Sequence, residues 1–335
     1  MTLKYLRQLV LVTALSALAT NASADGFLQR ADVREYLQTL SRDTGMDPHR
    51  LAGLFARLSS QQSILDAIST PAERTLTWRD YRPIFVTQKR IDEGQVFIEE
   101  NREILQRAER VYGVPVNIIA AIIGVETFYG RITGKHGVLE SLATLAFDYP
   151  PRATFFKREL TEFLILSEAE GWQAGTRLGS YAGAMGVPQF ISSSYRQYAV
   201  DFDNDGKRDL FNNMADVVGS VANYLSVHGW LKDAPVAERW SGESARKSAV
   251  TDLVRTSLQP VVAGDTIASL GFKSAGLASG TEDGRLLSVM NLQGKEGTET
   301  WVGYSNFYAI TRYNHSRLYA MAVLQLAEAL DSSLE

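Results

Sequence analysis

The chain has 335 residues, 45% hydrophobic and 21% charged, a balance that supports a substantial packed core and excludes a disordered polymer. A net charge of -4, spread without long like-charge runs, offers no basic face to a phosphate backbone and so excludes nucleic acid as a natural partner. Cysteine is absent, which excludes disulfides and a lipid-modified cysteine.

The first residues read as an export signal: Lys4 and Arg7, an apolar stretch from Leu9 to Ala19, then Ala22-Ser23-Ala24 as a cleavage site, at 1–24. That stretch is shorter than the ~20 residues that span a bilayer, so the expected product, starting at Asp25, is soluble, periplasmic and without a membrane anchor. An N-terminal helical region is expected over 25–76, with apolar residues at helical spacing from Val33 to Ala67 and an N-cap at Asp47-Pro48. Thr75 to Val86 reads as aromatic and irregular. Thr87 to Tyr112 then reads as one long amphipathic helix stopped by Gly113, and Pro115 starts the next.

A further helix is expected from Ala153 to Glu170, followed by a glycine-rich shaped loop from Gly171 to Gly186 and a helix from near Asp216 to near Gly229. These elements make a core over 77–230. Between 231 and 299 short β-prone pieces such as "QPVVAG" and "LLSVMNL" predict a small mixed α/β lobe. The chain returns to the core over 300–335, through an aromatic stretch and a closing helix from Ser316 to Leu330. The expected class is mainly α, of α+β type, with no internal repeat.

One carboxylate stands out. Glu126 follows Ile118, Ile119, Ala121, Ile122, Ile123 and Val125, which mark its helix as buried on most sides. Burying an ionised carboxylate costs several kcal/mol, so such a group tends to hold its proton nearer neutrality and can serve as a general acid. The bland alternatives are an ion pair with an arginine such as Arg131 or a helix end emerging into water. Downstream, "DFDNDGKRDLFN" starts like an EF-hand, with Asp201, Asp203 and Asp205 at positions one, three and five, Gly206 at six and the Lys207 carbonyl at seven. Position twelve is Asn212 instead of the usual glutamate. The expected ion is a structural Ca2+, and no organic cofactor is expected.

Other signals fail. "GRITGKHG" lacks the spacing and the Ser or Thr of a phosphate loop, and His49, His136, His228 and His315 form no paired-ligand spacing for a catalytic metal. Ser180 in "LGSYAG" lacks a nucleophile elbow.

Taken in order, "VETFYGR", "DYPPRATFF", "SYAGAMGVPQF", "DFDNDGKRDLF", "GSVANYL" and "YAITRYNHS" resemble the membrane-bound lytic murein transglycosylase B family, over about Tyr81 to Tyr319. The resemblance implies a lysozyme-like catalytic core, peptidoglycan glycan strands as substrate and cell-wall synthases as candidate partners. It implies cleavage of the β-1,4 bond between N-acetylmuramic acid and N-acetylglucosamine, with Glu126 first protonating the glycosidic oxygen and then taking the C6 hydroxyl proton to give a 1,6-anhydro end. It assigns Ser180, Gln189, Tyr224, Tyr313, Asn314 and Tyr319 to the cleft, with Tyr81 lining the same groove. Arg152 matches one of two arginines facing the peptide or lactyl group, and Pro151 departs from the other. Asp216 is implied to close the calcium site, with an N-cap role as its alternative. A water-using muramidase and a non-catalytic, calcium-dependent wall-binding protein remain as alternatives.

Overall fold

The computed structural model describes residues 26–70, 75–240, 247–255, 257–272 and 284–331, so the expected export signal lies outside the described residues. Apolar groups at helical spacing build α1 (Ala31–Thr44), α2 (Pro48–Phe55) and α3 (Gln62–Ser69). Asp47 caps α2 by accepting from the His49 amide at 2.9 Å, and Pro48 opens the helix. The inner residues Val33, Leu37, Leu51 and Phe55 join the main core, so this region is not a separate unit.

Two expectations are corrected in the next stretch. Thr75 to Val86, read as irregular, holds α4 (Trp78–Phe85), whose burial of Trp78 and Tyr81 outweighs the break expected from Pro83. The single helix expected from Thr87 to Tyr112 is two, α5 (Gln88–Glu100) and α6 (Arg102–Tyr112). The break falls at Asn101, whose side-chain amide donates to the Phe97 carbonyl at 2.9 Å and satisfies a helix-end group. Gly113 ends α6 in the left-handed region at φ 71. After a bend of 113° comes α7 (Val116–Thr127), and no single described helix is long and apolar enough to cross a membrane.

The chain continues through α8 (Val138–Asp148), α9 (Ala153–Ala169), α10 (Ser192–Tyr198), α11 (Met214–Val227), α14 (Ser305–Tyr313) and α15 (Arg317–Asp331), of which α11 and α15 pack directly on α7. Helix α8 received no assignment from the sequence. Two short antiparallel strands, β1 (His136–Gly137) and β2 (Leu178–Gly179), pin the loop after α7 to the glycine-rich segment.

Between α11 and α14 lies the expected mixed lobe: β3 (Ala237–Arg239), α12 (Lys247–Thr251), β4 (Val262–Ala263), α13 (Gly264–Ser269), β5 (Leu286–Gly294) and β6 (Gly297–Gly303). The strands form an antiparallel sheet in the order β3-β6-β5-β4. Strand β6 carries the sheet past the expected boundary at 299. Alternation along β5 decides what each face does: Leu287 and Val289 enter a small core within the lobe, whereas Met290 and Leu292 enter the main core.

The Tyr129 ring threads between α5 and α7, and glycine makes room for it on both sides. A Cβ at Gly94 would meet the Tyr129 hydroxyl at 2.2 Å and Leu330 at 2.6 Å, and one at Gly124 would meet the same ring at 2.6 Å. Gly94→Ala should therefore destabilise the protein by about 1–3 kcal/mol, despite alanine's better helix propensity. Gly53→Ala, with nothing within 4 Å of its added methyl, should instead stabilise by about 0.5–1 kcal/mol in the same urea-unfolding comparison.

Candidate active site

Glu126 sits in the last turn of α7, where the helix leaves the core, and it is half-buried. The turn is firmly tied. Thr127, 1% exposed, donates to the Val187 carbonyl at 2.8 Å and accepts from the Gly130 amide at 3.0 Å. Beyond it Phe128, Tyr129 and Gly130 are all left-handed, at φ 52, 59 and 85, and the Tyr129 hydroxyl donates to the Arg90 carbonyl at 2.9 Å. Arg131, the ion-pair candidate for Glu126, instead donates to Glu93 at 2.7 Å.

A phenol from the opposite end of the sequence is a partner of Glu126. Tyr319 on α15 donates to Glu126 Oε1 at 2.6 Å. Tyr319 is 2% exposed, and burial, with the neighbouring Glu126 charge and Tyr313 acting the same way, holds its hydroxyl protonated well above the ordinary phenol range. Tyr313 lies parallel to it at 6.3 Å and is raised by the same causes, burial first and Glu126 second. Tyr319 is thus a fixed donor to the carboxylate.

The other predicted aromatics stand behind this pair. Tyr313 donates to the Pro188 carbonyl at 2.6 Å, and Tyr224, edge-on to Tyr313 at 4.8 Å, donates to the Arg312 carbonyl at 2.6 Å. Tyr224 is 7% exposed and Tyr81 fully buried, so both rings are packed largely within the core.

Gln189 also adopts a left-handed backbone, at φ 51, and its amide donates both hydrogens internally, to Thr133 O at 3.0 Å and Gly186 O at 2.8 Å. Only its carbonyl oxygen remains to meet a ligand. Ser180 accepts from the amides of Ala182 at 3.2 Å and Ala184 at 3.0 Å, which shapes the turn and leaves its O–H to donate.

Next to this turn opens a cleft of about 730 Å³. Arg152 and Asn314 line it, as the sequence suggested, and so do Trp78, Tyr149, Tyr181, Arg317, Asn291 and Gln293, which the sequence reading missed. Tyr149 and Tyr181 directly adjoin the motif residues Pro150 and Ser180 and were available to a closer reading. Arg152 lies with its guanidinium 4.2 Å from the centre of the Phe155 ring, at the end of the turn that Pro150 and Pro151 begin.

The acidic loop forms a second centre. Carboxylate oxygens of Asp201, Asp203 and Asp205 lie within 4.8 Å of one another, and Gly206 takes φ 88 at the turn. Amides of Asp205 and Gly206 donate to Asp201 at 3.1 and 2.8 Å, which arranges the carboxylates before any ion arrives. Such an all-oxygen set fits a hard cation. Asp216 is not part of that cluster. It is fully buried, it accepts from the amides of Phe202 and Asp209 at 2.7 Å each, and it is not the helix cap, because Asn213 caps α11. Burial, with Asp203 and Asp201 adding to it, raises its pKa. Lys207 donates its amide to Asp205 at 2.8 Å.

Comparison with known proteins places this geometry. The transglycosylase SLT domain family matches residues 29–328. The membrane-bound lytic murein transglycosylase B of Escherichia coli (strain K12) is 36% identical over 320 residues, covering 91% of this chain and 84% of the relative. The crystal structure of the soluble lytic transglycosylase SltB1 from Pseudomonas aeruginosa superposes with a TM-score of 0.83 at 44% identity, covering 90% of this chain and 99% of the other. The Escherichia coli lytic transglycosylase Slt35 in complex with calcium has a TM-score of 0.77 at 35% identity, covering 92% of this chain and 93% of the other.

Proposed function

The chain belongs to the transglycosylase SLT domain family, and we propose that it acts on peptidoglycan as a lytic transglycosylase through Glu126 alone. The observation that carries this reading is the 2.6 Å hydrogen bond that fixes one oxygen of Glu126 at the end of a buried helix. Protonated Glu126 gives its proton to the oxygen of the β-1,4 bond between N-acetylmuramic acid and N-acetylglucosamine as the C1–O bond breaks. The positive charge that develops at C1 is met by the sugar's own N-acetyl oxygen. The Glu126 carboxylate then removes the C6 hydroxyl proton while O6 bonds to C1, which closes the 1,6-anhydro ring and returns the acid to its starting form. No water is consumed. A retaining hydrolase needs a second carboxylate about 5 Å away and an inverting one needs room for water, whereas internal attack requires neither.

Supporting roles follow from which hydrogen-bonding groups are left over. Ser180 offers an O–H to the N-acetyl carbonyl, Gln189 offers its carbonyl oxygen to a sugar hydroxyl, Asn314 offers its amide to the glycan, and Arg152 offers positive charge to the lactyl or peptide carboxylate. Peptidoglycan lies outside the cytoplasmic membrane, which agrees with the export signal at 1–24 and a periplasmic location. Cell-wall synthases remain candidate partners.

Glu126→Gln keeps shape and removes the exchangeable proton. Release of soluble fragments from sacculi should fall by at least about 10²-fold, and wild-type fragments should carry anhydro ends, one water lighter than reducing ends by mass spectrometry. Reducing ends in the wild-type digest would establish the hydrolytic muramidase instead.

Tyr319→Phe tests the fixed donor. A hydrogen bond to an ionised carboxylate favours the ionised form, so its loss leaves the acid protonated to higher pH. The alkaline limb of the pH–rate profile should move upward while kcat falls; an unmoved limb would refute the role.

For the acidic loop we assign Asp201, Asp203, Asp205 and the Lys207 carbonyl as calcium ligands, with a structural role for the ion. Saturating calcium at about 100 times its Kd should add about 2.7 kcal/mol of stability, seen as a rise in Tm that chelation reverses and Asp203→Asn abolishes. A transition unmoved by calcium removes the assignment.

A further inference from the structure

The small lobe presents two primary amides to the cleft, and both are oriented from behind. On β5 the face that carries Leu287 and Val289 into the lobe's own core turns polar at Asn291 and Gln293, where the strand runs out along the cleft. In the antiparallel register Asn291 faces Thr300 and Gln293 faces Thr298. The Thr300 hydroxyl donates to Asn291 Oδ1 at 2.8 Å and the Thr298 hydroxyl to Gln293 Oε1 at 3.2 Å. Each amide oxygen is thereby held on the hairpin. Each NH2 group is left to donate, and neither has a hydrogen-bond acceptor among the described residues.

The rest of the cleft has a matching bias. Although the chain carries a net charge of -4, the described residues lining this cavity include Arg152 and no aspartate or glutamate. Amide donors beside a cation favour a ligand that brings carbonyls and negative charge. The two amides sit two residues apart on one strand, about 6.8 Å, which is the spacing of same-side carbonyls in an extended peptide.

We propose that Asn291 and Gln293 form a subsite for the peptide stem attached to the glycan, receiving two of its backbone carbonyls while a stem carboxylate faces Arg152. The proposal rests on the peptidoglycan reading above and gives the small lobe a task within it, that of gripping the stem while the core holds the sugars.

The test is a binding comparison on the full chain carrying Glu126→Gln, which prevents turnover. Calorimetry is run with a disaccharide pentapeptide and with the same disaccharide after an amidase has removed the peptide. Adding Asn291→Ala and Gln293→Ala should weaken binding of the stem-bearing ligand about tenfold and of the stripped ligand less than twofold. Thr298→Val with Thr300→Val keeps both amides but frees them to rotate, and should weaken the stem-bearing ligand about threefold with an unchanged melting temperature. Equal weakening for both ligands would put the amides on the sugar and overturn the stem assignment. Unchanged binding of both would remove the subsite. Because the readout is binding, it stands apart from the reaction: failure of the transglycosylase reading shows in wild-type products, and failure of the subsite shows only here.

Discussion

The structure depends on keeping a carboxylate at the edge of an apolar core without committing it to a charge. Several kcal/mol oppose burying an ionised carboxylate, and the common remedy is a guanidinium partner. Such a partner would fix Glu126 as an anion and remove its use as an acid. Here a neutral phenol donates to Glu126, while Arg131 is engaged with Glu93, and Arg90 with the carbonyls of Gly124, Ile84 and Phe85. A neutral donor accepts either protonation state of its partner. On the proposed mechanism, an acid that becomes a base within one turnover needs that tolerance.

Much of the architecture holds this one contact in place. Helix α7 and helix α15 come from distant parts of the chain, and their packing brings Tyr319 to Glu126. The aromatic chain behind them is anchored by hydroxyls that meet backbone carbonyls, Tyr313 on Pro188 and Tyr224 on Arg312. Each bond satisfies a buried phenol and fastens a loop or helix end to the site. Tyr129 does the same between α5 and α7, with Gly94 and Gly124 making room for its ring. Rigid support of this kind would keep proton donor and acceptor within reach through both steps of the proposed mechanism.

The helical class, the buried helix bearing Glu126 and the acidic loop were legible because each rests on local spacing. The break at Asn101 was not, since it depends on a side-chain amide turning back onto Phe97, and helical periodicity runs through it undisturbed. Helix α4 was hidden by Pro83, whose penalty is outweighed only once Trp78 and Tyr81 find their core. For the tyrosines, the motifs do not show which one reaches Glu126; the packing does, bringing Tyr319 to the carboxylate and setting Tyr224 against Tyr313. Asn291 and Gln293 left no mark beyond simple alternation, because their meaning comes from two threonines across a hairpin.

Asp216 carries the same lesson into the acidic loop. By sequence it is a ligand or a cap, yet it does a third thing, joining the two ends of the loop by accepting from Phe202 and Asp209. Its burial and the nearby charges of Asp203 and Asp201 both oppose its ionisation, so the loop concentrates negative charge around a group poorly placed to bear it. On the calcium assignment proposed above, a cation among the three outer carboxylates would relieve that repulsion without touching Asp216 itself. Helix α11 begins beside the loop and carries Tyr224 roughly 15 Å along its axis from Met214. The proposed ion would therefore reach the site only through the helix that supports it, as a stabiliser of the scaffold, with the proposed proton chemistry left to Glu126.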